Sequence, residues 1–244
     1  MHYQLYYWPG IQGRGEFVRL ALEAGRAKYA DVARQSQRSG EGVPALLRGM
    51  DDASLKRPPF APPYLRAGRV LIAQTANILQ FLGPRLKLAP ADEAGRLWAH
   101  QLQLTVSDFV GEAHDVHHPI AVSLYYRQQK AEARRRARHF TGERIPKFLG
   151  YFERVLQANR RGRAYMIGNA PTYVDLSMFQ IVAGLRYAFP RTMRRLEPDF
   201  PALVALHERV RELPNVAAYL ASDRRIAFNE DGIFRHYPEL DTSR

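Results

Sequence analysis

A tyrosine, an arginine and the start of a predicted helix are the residues best suited to act on a small ligand. Tyr7 ends an alternating segment directly before Trp8-Pro9, where its hydroxyl can reach a ligand. Arg14 opens a predicted helix, where a cation opposes the helix dipole. Gln74-Thr75 open another, whose free N–H groups suit an anion. The structural alternatives are a core tyrosine, a surface salt bridge and simple capping by Thr75.

The elements that must position these residues form a small α/β unit. Aromatic alternation predicts a strand over residues 2–8, and apolar spacing around Phe17 predicts a helix that stops at Gly25. A second short strand is expected at 29–33 and a hairpin at 63–73. Thr75 can cap the helix that follows, and Gly83-Pro84 is expected to end it. Between these elements, residues 36–60 are predicted to be mostly loop, with one short helix.

Strand signals stop after Pro90, so the rest of the chain is predicted to be helical. One helix is expected at 92–117 and a long one at 123–158, bent at Pro146. Three more helices are expected at 173–188, 200–212 and 215–222. The sequence thus predicts an α/β N-terminal domain and an all-α C-terminal helical-bundle domain. The boundaries are 1–83 for the first domain, 84–89 for a linker, 90–222 for the second domain and 223–244 for a C-terminal tail.

Composition excludes several classes of function. The 244 residues include no cysteine, which rules out disulfides, thiolate metal sites and a cysteine nucleophile. No apolar run reaches the roughly 18 residues that cross a bilayer. The first seven residues do not resemble a signal peptide. We therefore expect a cytoplasmic protein that does not bind membranes.

Two charged clusters invite further interpretations. The net charge is +12, and Arg134-Arg135-Arg136-Ala137-Arg138 concentrates part of it. A solvated helix face explains this cluster better than a nucleic-acid site, because no aromatic residues are interleaved with the arginines. His114 and His118 are one helical turn apart, but the glutamate of a zinc-protease motif is missing and Pro119 breaks the helix. We expect no metal.

Three motifs, in this order and spacing, resemble the glutathione transferases of the tyrosine type, akin to the mu, pi and sigma classes. They are residues 7–20 (YWPGIQGRGEFVRL), 62–79 (PPYLRAGRVLIAQTANIL) and 168–176 (GNAPTYVDL). The resemblance covers roughly residues 3–222. It implies a thioredoxin-like N-terminal domain that binds glutathione and a helical domain that shapes the substrate pocket. It also suggests a bacterial, cytosolic member of the family.

The resemblance assigns the catalytic hydroxyl to Tyr7, with Arg14 as electrostatic support. A free thiol has a pKa near 8.5 and is only ~3% thiolate at neutral pH. Lowering that pKa by ~2 units needs ~2.7 kcal/mol, and a charge-assisted phenol hydrogen bond supplies about 1.5–3 kcal/mol. Tyr6 is the rival, because the following loop carries about one extra residue. Adjacent strand residues face opposite sides, so only one of the two hydroxyls can face the ligand.

Further glutathione contacts are implied by the same resemblance. Thr75 and Gln74 take the γ-glutamyl carboxylate, and Lys56, or else Arg57, takes the glycyl carboxylate. Pro63 is expected to follow a cis peptide bond beside the cysteinyl part of glutathione. Here the chain departs from the family, because Pro62 has no N–H to donate. No acid stands near Gln103-Leu104, so a family contact from the partner subunit is expected to be missing.

The remaining expectations concern structure and partners. Thr172 and Asp175 form a predicted capping box, which is structural evidence for the fold. The implied activity is conjugation of glutathione, as co-substrate, to hydrophobic electrophiles in detoxification, by a homodimer. Peroxidase and isomerase activity stay open, because all start from the same thiolate. The alternatives are a non-catalytic binding or scaffold protein with the same fold, and a polyanion-binding protein.

Overall fold

The computed structural model describes residues 2–160, 162 and 164–241. Its N-terminal part is a four-stranded sheet in the order β2-β1-β3-β4. β1 pairs with β2 in parallel and with β3 antiparallel, and β3 pairs antiparallel with β4. The elements are β1 His2–Tyr6, α1 Gly15–Ala24, β2 Lys28–Asp31, α2 Val43–Asp51, β3 Tyr64–Ala67, β4 Val70–Ala73 and α3 Thr75–Arg85.

In the C-terminal part, helices are the only regular secondary structure among the described residues. Its helices are α4 Glu93–Asp115, α5 Lys130–His139, α6 Ile145–Ala158, α7 Tyr173–Ala188, α8 Pro190–Leu196, α9 Pro201–Arg211 and α10 Pro214–Leu220. Helix α7 is buried along nearly its whole length and packs against α1, α4 and α9. The predicted capping box at its start is present, with Asp175 accepting hydrogen bonds from the backbone and the hydroxyl of Thr172, each at 2.7 Å. The mixed sheet with a helical second domain confirms the predicted fold class.

Alternation in β1 sets which side chains reach the core. Tyr3 and Leu5 are buried, whereas His2 is exposed. The predicted hairpin is present as β3 and β4, and its turn uses Gly68 at φ 62°, a conformation that residues other than glycine adopt at a cost. These strands bring the end of β1 next to the starts of α1 and α3.

The long helix predicted at 123–158 begins later than expected. From Lys130 to Ala158 the chain is helical without a break, as α5, a π-helical turn at Phe140–Arg144, and α6. Pro146 directly follows the π-helical turn, and because it has no N–H it cannot donate the usual helical hydrogen bond to the preceding turn. The predicted end at Gly83-Pro84 is wrong, since α3 continues to Arg85 with Pro84 in its last turn. Helix α8 was not predicted, because its seven residues are too few for a clear apolar period.

The C-terminal tail, whose structure the sequence left open, folds back onto the molecule over residues 223–241; residues 242–244 lie outside the described part. Ile233, Phe234 and Leu240 are buried. Asp241 accepts hydrogen bonds from the first turn of α8, including the Thr192 backbone at 3.0 Å. Among the described residues, no helix is both long and apolar enough to cross a membrane.

Candidate functional site

The Tyr7 side chain lies beneath the loop that leads into α1. It is 5% exposed, and its hydroxyl accepts a hydrogen bond of 2.8 Å from the backbone N–H of Arg14. Gly13 stands directly over the phenol at φ 47°, and any β-carbon there would overlap the hydroxyl. The loop therefore closes on Tyr7 only because residue 13 has no side chain.

Burial sets the protonation state of this phenol. It raises the pKa of Tyr7 above its usual value, although the Arg14 N–H and the charges of Arg14 and Arg19 act in the opposite direction. At neutral pH the hydroxyl is thus protonated. Its oxygen accepts from Arg14, and no acceptor for its proton is found in the described part of the chain. The hydroxyl proton is therefore unpaired within the described part of the protein, beneath the covering loop.

Tyr6 lies on the other face of the sheet. Its ring stacks on Tyr64 with centroids 4.5 Å apart and an interplanar angle of 11°. Both rings pack with α2 residues such as Leu46 around a small separate core. Tyr6 and Tyr7 therefore face different surroundings, as strand alternation requires.

A buried ionic cluster under the Tyr7 loop was not predicted. Arg19 is fully buried in α1, and its Nε donates to Asp31 at 2.7 Å. Its Nη1 lies 3.3 Å from Glu16 and from the backbone oxygens of Ile11 and Gln12. The guanidinium thus fixes the backbone of the loop that covers Tyr7. Only the apolar neighbours of Arg19 in α1 carried a clear sequence signal.

The same cluster joins the two parts of the molecule. The Glu16 carboxylate, itself fully buried, accepts a hydrogen bond of 2.7 Å from the Tyr219 hydroxyl in α10. It also pairs with Arg225 of the tail. Helix α1 is therefore held from the helical side as well as from the sheet.

A cavity of about 350 Å³ lies between the starts of α1 and α3 and the middle of α4. Arg14, Gln74 and Thr75 all line it, so three predicted site residues meet there. The hydroxyl of Thr75 lies 3.5 Å from the backbone oxygen of Arg14. Three residues of α4 that the sequence analysis did not select also line it: His100, Gln103 and Ser107.

The start of α3 differs from the prediction in a way that matters for binding. Thr75 does not cap this helix, because it is its first residue and Gln74 occupies the N-cap position without a side-chain capping bond. Gln74 adopts φ 69°, an unfavourable conformation for a residue with a side chain. The first N–H groups of α3 are left for a ligand, and anions bind well at such a helix end.

Tyr7 does not line this cavity, and the other predicted glutathione contacts also lie outside it. The Pro62–Pro63 peptide bond is cis, as the resemblance implies, and it leads into β3. Lys56 and Arg57 are exposed in the segment between α2 and β3. Neither lines the 350 Å³ cavity. A larger open groove of about 850 Å³ lies between the linker, α4 and α6; Thr172 of the capping box lines it, but none of the predicted glutathione contacts does.

The three histidines at the end of α4 have structural partners. Their rings lie 4.9–5.2 Å apart. The Nε2 of His117 lies 2.8 Å from the backbone oxygen of Ile233, and the Nδ1 of His118 lies 3.3 Å from the amide of Gln129. Residues 2–160, 162 and 164–241 contain no group of three or more histidine, aspartate or glutamate side chains that could hold a metal ion.

Comparison with known proteins gives one family. Residues 114–223 match the model of the glutathione S-transferase C-terminal domain. The chain is 25% identical over 229 residues to a glutathione S-transferase of Plasmodium falciparum, which covers 92% of this chain and 97% of that protein. It is 26% identical over 222 residues to glutathione S-transferase P of Bos taurus, covering 90% and 92%. These relatives are eukaryotic, and the expected bacterial origin stays a prediction.

Solved structures agree on the fold. A Pi-class glutathione S-transferase of Onchocerca volvulus superposes with a TM-score of 0.67 at 20% identity, over 90% of this chain and 92% of that one. The mixed sheet and the helical domain of the present structure therefore form the glutathione S-transferase fold.

Proposed function

We propose that this chain, whose relatives and fold are those of the glutathione S-transferase family, binds glutathione and activates its thiol for attack on hydrophobic electrophiles. One observation carries the mechanism. The Tyr7 hydroxyl is fixed by the backbone N–H of Arg14 at 2.8 Å, and its own proton remains available. A phenol held in this way can donate to a sulfur atom placed next to the loop.

In the proposed reaction the thiol of glutathione loses its proton to solvent. The Tyr7 hydroxyl donates a hydrogen bond to the resulting thiolate, and that bond favours the anion. The sulfur then forms a bond to an electrophilic carbon, whose leaving group departs with the electron pair of the bond that breaks. Tyr7 keeps its own proton throughout, which agrees with the raised pKa of its buried phenol.

The 350 Å³ cavity is the proposed binding site for the γ-glutamyl end of glutathione. Its free carboxylate would meet the uncapped start of α3 at Gln74 and Thr75, with the Arg14 guanidinium nearby. Lys56 is the proposed partner of the glycyl carboxylate; its exposure between α2 and β3 is compatible with that role. The cysteinyl part would run past Pro62 and Pro63.

Pro62 favours a second candidate function, that of a non-catalytic glutathione-binding or scaffold protein. Proline has no N–H, so the backbone there can accept a hydrogen bond from the ligand but cannot donate one. Loss of one donor would weaken binding by about 1 kcal/mol. Calorimetry with glutathione, followed by turnover of a chlorinated aromatic substrate, separates the two. Binding with turnover supports the enzyme, and binding without turnover supports the scaffold.

We also propose the biological setting that the family implies. The chain would act as a cytoplasmic homodimer in detoxification, with a domain of residues 1–83 for glutathione and one of residues 90–222 for the electrophile. Nucleic acid and membranes are not proposed as partners. In α5, Arg136 lies 3.8 Å from Glu112, which accounts for part of the basic cluster by an ordinary ion pair.

A further inference from the structure

We propose that Gln103, on helix α4, recognises the free carboxylate of the γ-glutamyl group of glutathione. The inference rests on the proposed function and deepens it. It adds a residue of the helical domain to a contact that the sequence assigned to Gln74 and Thr75 alone.

Gln103 has a polar side chain that is buried on the apolar face of α4. It is 1% exposed, and on the same side of α4 its neighbours Ala99, Leu102 and Val106 are fully buried. Burying an amide without partners costs free energy, so an amide in such a position needs a hydrogen bond for each of its polar atoms. Among the described residues, the Gln103 amide has a hydrogen-bond partner for its oxygen but none for its nitrogen.

That one bond also sets the direction of the amide. The Ser177 hydroxyl, buried in α7, donates to Oε1 of Gln103 at 2.8 Å. The Nε2 atom must then point elsewhere, and Gln103 contributes to the wall of the 350 Å³ cavity. Among the residues that the structure describes, none accepts a hydrogen bond from this nitrogen. A ligand atom in the cavity is the missing acceptor.

The charges around the cavity identify the kind of acceptor. Arg14 lines it, and no carboxylate of the described part of the chain does. The start of the eleven-residue helix α3 opens into it without a side-chain cap. A cation, a helix N-terminus and an amide donor together favour a single negative charge with two oxygen atoms. In glutathione, the free carboxylate of the γ-glutamyl group meets this description at the end remote from the thiol.

The two walls of the cavity belong to different parts of the fold. Gln74 and Thr75 follow the sheet, and Gln103 comes from the helical bundle. A carboxylate bound between them would connect α3 to α4. Gln103 would therefore contribute to selectivity for this end of the ligand, and it has no role in activating the thiol.

The test is calorimetric affinity for two ligands, glutathione and the same tripeptide with 4-aminobutyrate in place of the γ-glutamyl group, which lacks this carboxylate. Gln103→Met keeps the length of the side chain and removes the donor. We expect about tenfold weaker binding of glutathione, the scale of a hydrogen bond to a charged group, and unchanged binding of the analogue. Gln101→Met, on an exposed position of the same helix, should leave both affinities unchanged.

Gln103→Glu should weaken glutathione binding further than Gln103→Met, because it places a second carboxylate in the cavity. If thermal unfolding shows that Gln103→Met does not fold, the two affinities are measured in Ser177→Ala instead. This variant keeps Gln103 and removes only the hydrogen bond from the Ser177 hydroxyl that orients the Gln103 amide. A several-fold loss for glutathione alone supports the proposal. Equal losses for both ligands, or none, would overturn it. Failure of the unmodified protein to bind glutathione would instead overturn the proposed function.

Discussion

The hydroxyl oxygen of Tyr7 lies 2.8 Å from the backbone nitrogen of Arg14, so the phenol is held by the main chain at the start of α1. A backbone donor cannot swing away as a side chain can. The phenol is therefore fixed before any ligand binds. Small changes in the conformation of the covering loop should change the position of the Tyr7 hydroxyl.

Gly13→Ala tests the closeness of that loop. The added methyl group would overlap the Tyr7 hydroxyl, and residue 13 has φ 47°. We expect a loss of stability of about 1–3 kcal/mol from the left-handed conformation, and a fall in glutathione conjugation beyond what the unfolded fraction explains. The measurement is activity per folded molecule at a temperature well below unfolding. Gly10→Ala, in open space on the same loop, is the control and should have little effect.

Arg19→Met tests the buried ionic cluster. The substitution leaves the carboxylates of Glu16 and Asp31 without their central cation, and Arg19 itself is fully buried. Breaking a buried pair in this way costs about 3–5 kcal/mol of unfolding free energy. Denaturant titration measures this cost. Arg69→Met, exposed in the hairpin turn, should change stability by less than about 0.5 kcal/mol. A loss for Arg19→Met no larger than this would contradict the assignment.

His117 should make the protein sensitive to acid. Burial, together with the charge of Arg235 and the neighbouring His114 and His118, lowers the pKa of His117 to about 2. The unfolded chain takes up this proton near pH 6.5 and the folded one only near pH 2, so the unfolded state binds more protons in between. Stability should therefore fall as the pH drops below about 6.5.

His117→Gln checks this pH dependence, because glutamine can still donate to the Ile233 oxygen and does not titrate. We expect a smaller loss of unfolding free energy between pH 7 and pH 5 in this variant. If His117→Gln gives the slope of the unmodified protein, His117 is not the group responsible.

The proposed homodimer gives a further prediction. Phe60 is 93% exposed, the largest exposed fraction among the large hydrophobic side chains of the described residues, and such surface is commonly covered by a partner. Light scattering at micromolar concentration should give twice the chain mass of 27.9 kDa. Phe60→Ser should raise the dimer dissociation constant. A monomer mass for the unmodified chain would rule out the homodimer.

Local sequence patterns predicted the parts of the site that depend on local structure. Strand β1, the hairpin and the Thr172–Asp175 capping box all follow from residues close together in the chain, although β1 ends at Tyr6 and not at residue 8. The π-helical turn before α6 and the short helix α8 carry no such local signal, and the prediction missed both.

Long-range contacts explain what the sequence did not reveal about the site. Arg19 reaches Asp31 across twelve positions, and the amide of Gln103 is set by Ser177 across 74 positions. The sequence around Arg19 or Gln103 does not indicate a hydrogen-bond partner so distant in the chain. The N-cap at Gln74 was also missed, because threonine is normally the better capping residue and the local pattern favoured Thr75.

The pKa of the bound thiol in the unmodified protein, in Tyr7→Phe and in Tyr6→Phe tests the central claim most directly. Ultraviolet absorbance of the thiolate, followed against pH in the glutathione complex, gives this pKa. In Tyr7→Phe the ring stays and only the donor is removed. We predict a pKa that rises toward its free value of about 8.5 and a rate about 10- to 150-fold lower at neutral pH. Tyr6→Phe should match the unmodified protein. A thiol pKa that Tyr7→Phe leaves unchanged, or that Tyr6→Phe raises instead, would contradict the account.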